Sequence, residues 1–188
     1  MKNFSILIII ALSLALFGCG EEMEQVKKAA EVASKAEDIA EQVEKDASEA
    51  EKIMAERKAE GDTLAIPYKK LQEMLPEEID GYKVKNTDGE SAQMGEFSYS
   101  RAERVYENEN GQKLRIKLMD YNMAYPLYQS MSVWANMQMS RENDRELEKT
   151  FKPDIEHVVG MERLSKVGNK NAEVTYAIAY RFLLEVSA

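Results

Sequence analysis

The stretch ENENGQKLRIKLMDY, residues 107–121, decides how the rest of the chain is read. Asn110-Gly111 is the strongest hairpin signal present, because both residue types tolerate the positive φ of a type I′ turn. The segment behind it alternates: Leu114, Ile116 and Leu118 fall on one face, Lys113, Arg115 and Lys117 on the other. A period of two means a strand with one buried and one solvated face. Upstream, Phe97–Tyr106 is the partner strand. Downstream, Ala124–Ser140 has helical spacing, with Pro126 in its first turn and Leu127, Met131 and Trp134 along one side. Trp134 is the only tryptophan; this reading sends it inward to the core, and the alternative sets it, with the methionines of the same helix, at the mouth of a ligand pocket.

Further strands are expected within Ile155–Val167, at Ala172–Ala179 and at Arg181–Val186, with a turn at Gly168-Asn169-Lys170-Asn171. Before the hairpin, Ile66–Leu75 is a short helix opened by Pro67 and stopped by Pro76. Helix and strands joined by short connections give an α+β class: an antiparallel sheet with packed helices. This domain is expected over residues 61–188, because every aromatic residue after Phe17 lies beyond Gly61.

Residues 21–60 contain no Pro, Gly or aromatic residue and are dominated by Ala, Glu and Lys, all good helix formers. Val26, Ala29, Ala33, Ala36, Ala40, Val43, Ala47, Ala50 and Met54 follow alternating spacings of three and four, an unbroken heptad pattern. Glu24–Lys28, Glu31–Lys35 and Glu41–Lys45 are i,i+4 pairs in the favourable order, and Gly61 supplies a C-cap. A long α-helix therefore precedes the sheet domain. Most heptad positions are alanine, so each layer buries little, and the acidic Glu37, Glu44 and Glu51 find no lysine across a parallel pair. However, Val32, Ile39 and Ile53 widen the stripe to the kind that packs in a bundle. Two roles follow: a solvated spacer, or a helix for self-association or for docking an envelope protein partner.

Working outward to the N-terminus, Lys2 precedes an apolar run, Phe4–Phe17, too short to span a bilayer, which needs about 20 residues. It has the form of a secretory signal. The run closes Leu16-Phe17-Gly18-Cys19, with the only cysteine of the chain. This resembles the bacterial lipobox, although Phe17 stands where a small residue is usual. The resemblance implies that residues 1–18 are removed, that Cys19 carries a diacylglycerol and becomes the first mature residue, and that residues 19–60 form a lipidated stalk. In enteric bacteria, Gly20 after that cysteine implies the outer membrane. Two or three acyl chains, at about 0.8 kcal/mol per buried CH2, would hold the protein on a membrane stably. "LQEMLPEEIDGYKV" (71–84), "NGQKLRIKLMDY" (110–121) and "VWANMQMSRENDRE" (133–146) are similar to a group of uncharacterised bacterial lipoproteins. At fold level, the element order also resembles the PsbP/Mog1-like α+β sandwich.

Composition excludes several function classes. Net charge is −9, and acids outnumber bases in both 21–60 and 62–188, which argues against nucleic-acid binding. His157 is the only histidine, set among Ile155, Val158 and Val159, so a His/Cys metal site is excluded by count. No Gly-x-Ser-x-Gly elbow, Walker A loop or EF-hand pattern occurs. Glu142, Asp144, Glu146 and Glu148 interleave with Arg141, Arg145 and Lys149, the mark of a solvated charged segment. The expectation is a membrane-anchored envelope lipoprotein, not an enzyme, with no cofactor, no metal, and a binding domain whose ligand-contacting residues the sequence does not single out.

Overall fold

The computed structural model describes residues 22–95, 97–122, 125–168 and 171–188. The signal-like segment and Cys19 lie outside them. The first element is a long helix, α1 (Glu22–Ala59). It is followed by α2 (Tyr68–Met74), β1 (Glu78–Ile79), β2 (Tyr82–Met94), β3 (Phe97–Glu107) and β4 (Lys113–Asp120). Then come α3 (Tyr125–Asn136), β5 (Ser140–Glu142), β6 (Glu146–Phe151), β7 (Val158–Ser165), β8 (Ala172–Ile178) and β9 (Phe182–Ser187). The class is α+β. Among the described residues the sheet has nine strands in the order β1-β2-β3-β4-β9-β8-β7-β6-β5. Every pairing is antiparallel. Two meanders, β1–β4 and β5–β9, are joined where the last strand pairs with β4.

The register sorts the side chains onto two faces, since paired residues in a ladder point the same way. Ala102, Leu118, Leu184, Tyr176, Gly160 and Phe151 form one continuous row. Met119, Leu183, Ala177 and Val159 form the neighbouring row on the opposite face. Each face has its own core. On the first, Leu71 and Leu75 pack with Ala102, Tyr106 and Ile116. On the second, Ala50 of α1 and Met131 and Ala135 of α3 pack with Met119, Val159, Ala177, Tyr180 and Leu183. Across the β5–β9 half, the first face carries Phe151, whose ring lies over Gly160. A Cβ there would collide with that ring. Phe151 meets Tyr176 edge to face at 5.7 Å.

The compact unit that holds the sheet runs from Glu41 to Ala188 and so takes in the last part of α1. Asp46, Ala50 and Ile53, spaced four and three apart, face this unit. Ala50 is fully buried, and Asp46 accepts hydrogen bonds from Ser132 Oγ at 2.6 Å and Gln42 Nε2 at 2.8 Å. The stripe widened by Ile53 is the one used. The chain leaves α1 through a Schellman turn: Gly61 (φ 80°) donates to Lys58 O and Asp62 N–H reaches back to Arg57 O at 2.9 Å.

Several local expectations need correction. The 107–113 connection is a five-residue loop rather than a two-residue turn. Asn108 Oδ1 accepts from Asn110 and Gln112 N–H, and of the Asn-Gly pair only Gly111 has positive φ (75°). The helix expected to reach Ser140 ends at Asn136, and Ser140 opens β5. Trp134 is not in the core: it is 43% exposed, while Met131, Ser132 and Ala135 face inward. Those three span an arc of about 100° on a helical wheel, and Trp134 falls outside it; the side chain of Leu127 lies outside the described residues. The Gly168–Asn171 turn lies partly outside the described residues. The charged run 141–149 is solvated as expected at 141–145 and Lys149, but it contributes to β5 and β6, and Glu148 within it is buried.

Candidate functional site

The C-terminus of α1, the segment 62–66, the end of β4 and the β8–β9 turn converge on one buried polar network. Its centre is Arg181. Asp120 ends β4 by continuing the inward parity of Leu114, Ile116 and Leu118, so its carboxylate is carried into the interior and is fully buried. A buried carboxylate is costly unless paired and hydrogen-bonded. Here it accepts from Arg181 Nε at 3.0 Å and Nη2 at 2.8 Å, from Ile66 N–H at 2.7 Å and from Asn122 N–H at 2.8 Å. The geometry is a two-pronged guanidinium–carboxylate pair, among the strongest charge-assisted arrangements. Arg181 Nη1 donates to Asp62 and Nη2 to Leu64 O, and its guanidinium lies 5.2 Å from the centre of the Phe182 ring.

Arg57 closes the network from the helix. Its Nε donates to Asp62 Oδ2 at 3.1 Å and its Nη1 to Asn122 O at 3.2 Å, while Nη2 donates to Asn122 Oδ1. Asn122 holds a left-handed backbone (φ 55°), which asparagine tolerates, and its amide donates to Thr63 O. Burial by itself raises the Asp62 carboxyl. The hydrogen bonds from Arg181 and Arg57 outweigh it and hold the group below its ordinary value. For Arg181, burial works against the charge, but the bonds to Asp120 and Asp62 prevail and raise its affinity for the proton. The β8–β9 turn that presents Arg181 has two non-glycine residues at positive φ, Ala179 (50°) and Tyr180 (58°). Such positions cost energy and persist where the surroundings over-determine them. Tyr180 is buried in the core and Ala179 N–H is bonded to His157 O at 2.8 Å.

Beside this network lies a cavity of about 530 Å³. It is lined by Met54, Arg57 and Lys58 of α1, by Asp62, Thr63 and Leu64 of the segment that follows, and by Gln93, Gly95 and Asn122. Most of the polar lining is already committed: Arg57 and Asn122 to each other, Asp62 to two guanidiniums, and Gln93 Nε2 to Gly95 O at 3.3 Å. The exposed ammonium of Lys58 has no partner among the described residues. The cavity therefore offers apolar surface from Met54 and Leu64 and the Lys58 ammonium, unpaired among the described residues.

Of the residues singled out in the sequence, Cys19 lies outside the described residues, Trp134 does not line the cavity, and His157 sits just before β7, away from it. The sequence reading missed Asp120, Arg181 and Asn122. The signal was present in Asp120, a charge on the inward parity of a strand, which requires a buried partner. That partner lies far along the chain, beyond the reach of periodicity.

No family model matches the chain, and no curated protein matches it. Among solved structures it is similar to a GTP binding regulator from Thermotoga maritima, at 14% identity and a TM-score of 0.35, over 59% of this chain and 69% of that one.

Proposed function

We propose that this protein is a lipid-anchored lipoprotein of the bacterial envelope whose sheet domain is a non-catalytic binding module. The ligand class is a small molecule with an apolar body and an acidic group. The observation that carries the binding half is the cavity: apolar Met54 and Leu64 beside a free Lys58 ammonium. Its other ionisable groups are locked in mutual hydrogen bonds, which suits recognition better than proton transfer. The lipobox-like ending at Cys19 carries the anchoring half, and among the described residues no helix is long and apolar enough to cross a membrane.

Dodecanoate is a suitable probe for the cavity. Native mass spectrometry of a Cys19→Ser chain should show one dodecanoate bound, lost in Leu64→Asp and weakened in Lys58→Glu. Binding unchanged in both variants would sink the reading. For the anchor, Cys19→Ala should shift the protein from membranes to a soluble envelope fraction or leave the precursor uncleaved. A native mature form that starts elsewhere, with no acyl mass, refutes lipidation.

A stalk that self-associates through α1 has narrower support. Ala33, Ala36 and Ala40 are exposed, but Ala50 is consumed within the chain's own core. Light scattering on the full chain decides it: a concentration-independent monomer removes this reading.

A further inference from the structure

Away from the cavity, the single histidine faces two glutamates. His157 is held at φ 55°, its carbonyl accepts from Ala179 N–H, and its ring tilts against Tyr180 with centres 5.1 Å apart. Nδ1 lies 3.1 Å from Tyr180 Oη. With the proton on Nδ1 and donated to that oxygen, Nε2 presents its lone pair away from the core. In that direction it meets Glu49 Oε1 on α1 and Glu156 Oε1 beside it in sequence, each 3.7 Å away. One donor atom from each of the three residues lies within 4.8 Å of the others.

That spacing is too long for hydrogen bonds. It is close to the ligand-to-ligand edge of about 3.4 Å that a tetrahedral ion imposes when its bonds are near 2.1 Å. The arrangement around the ring also has the form expected of a metal-bound imidazole: one nitrogen fixed by an outer partner, the other aimed at the ion. Tyr180, fully buried, provides a rigid outer partner. The ring itself is mostly shielded, whereas Glu156 is almost wholly exposed, which leaves a path for ion and water.

We propose that His157, Glu49 and Glu156 bind one divalent cation of the Zn²⁺ or Co²⁺ type, with water completing a four-coordinate shell. Imidazole mixed with carboxylates suits these ions better than Ca²⁺ or Mg²⁺, which take oxygen donors. The bound ion joins α1 to the turn leading into β7, independently of the cavity ligand. A count of His and Cys alone overlooks the site because two of its three donors are carboxylates.

The test is titration of the metal-free full chain, in detergent, with ZnCl2 by calorimetry and with Co²⁺ by visible absorption. One Zn²⁺ per chain is expected, together with the intense Co²⁺ bands of a four-coordinate site. Glu156→Gln and Glu49→Gln should each weaken Zn²⁺ binding by roughly tenfold or more, and His157→Gln should abolish it. Tyr180→Phe should cost about tenfold through the outer partner. Glu156 is exposed, so its variant keeps the fold, and circular dichroism melts check the others. Absence of saturable Zn²⁺ binding overturns the proposal, as does unchanged affinity in Glu156→Gln or binding that survives in His157→Gln.

Discussion

Arg181 holds its surroundings together by charge and geometry at once. Its guanidinium serves Asp120, which has no exposed surface, and Asp62, which has some. Arg181→Met should cost about 3–5 kcal/mol in urea unfolding, because it strands a buried carboxylate. The double variant Arg181→Met with Asp120→Leu should recover much of that loss, since the penalty belongs to the orphaned charge rather than to the pair. A double variant no more stable than the single one would show that the loss lies elsewhere. Trp134 represents the opposite case. It is large and apolar but turned away from Met131 and Ala135, so its fluorescence should be red-shifted and readily quenched by acrylamide in the native state. Trp134→Ala should cost less than about 1 kcal/mol, as surface substitutions do. A blue-shifted native spectrum would return it to the core.

At the scale of elements, the β5–β6 hairpin is the instructive one. Interleaved acids and bases suggested solvated chain. In the ladder the same alternation places Glu146, Glu148 and Thr150 on one face and Leu147, Lys149 and Phe151 on the other. Glu148 is buried between two arginines. It accepts from Arg163 Nε at 2.7 Å and from Arg141 Nη2 at 2.7 Å. The bond from Arg163, then that from Arg141, outweighs burial and holds its carboxyl below the ordinary value. A depressed folded-state value contributes stability that is present above the unfolded value, about 4.3 for Glu, and is lost as pH falls through the folded value. Asp62 acts in the same direction. The urea midpoint should therefore drop below about pH 4.3, and Glu148→Gln should lower it at neutral pH while flattening the acid limb. An unchanged acid limb would assign the loss to other carboxylates.

The elements that were legible, β3, β4, β8, β9 and the short α2, carry clean periodicity or proline punctuation within a few residues. What was hidden depends on distant partners: the burial of Asp120 by Arg181, the side of α3 that meets α1, and the glutamates that face His157. The alanine stripe of α1 showed a helix but not what covers it. The structure gives Asp46, Ala50 and Ile53 to the domain's own second core. A chain begun at residue 61 should therefore be aggregation-prone or partly unfolded, with one face of the sheet uncovered, whereas one begun at residue 41 should melt cooperatively. Equal melting temperatures for the two would refute this assignment.

The order of the strands has a temporal side. β4 emerges from the ribosome long before its neighbour, because β9 is threaded between β4 and β8 only after every other strand has been made. Until residues 182–187 are synthesised, the two meanders have no seam, and the edge of β4 away from β3 has unpaired backbone groups. Such non-local pairing is slow to form. If the chain is exported as proposed, late closure of the seam would favour threading before folding.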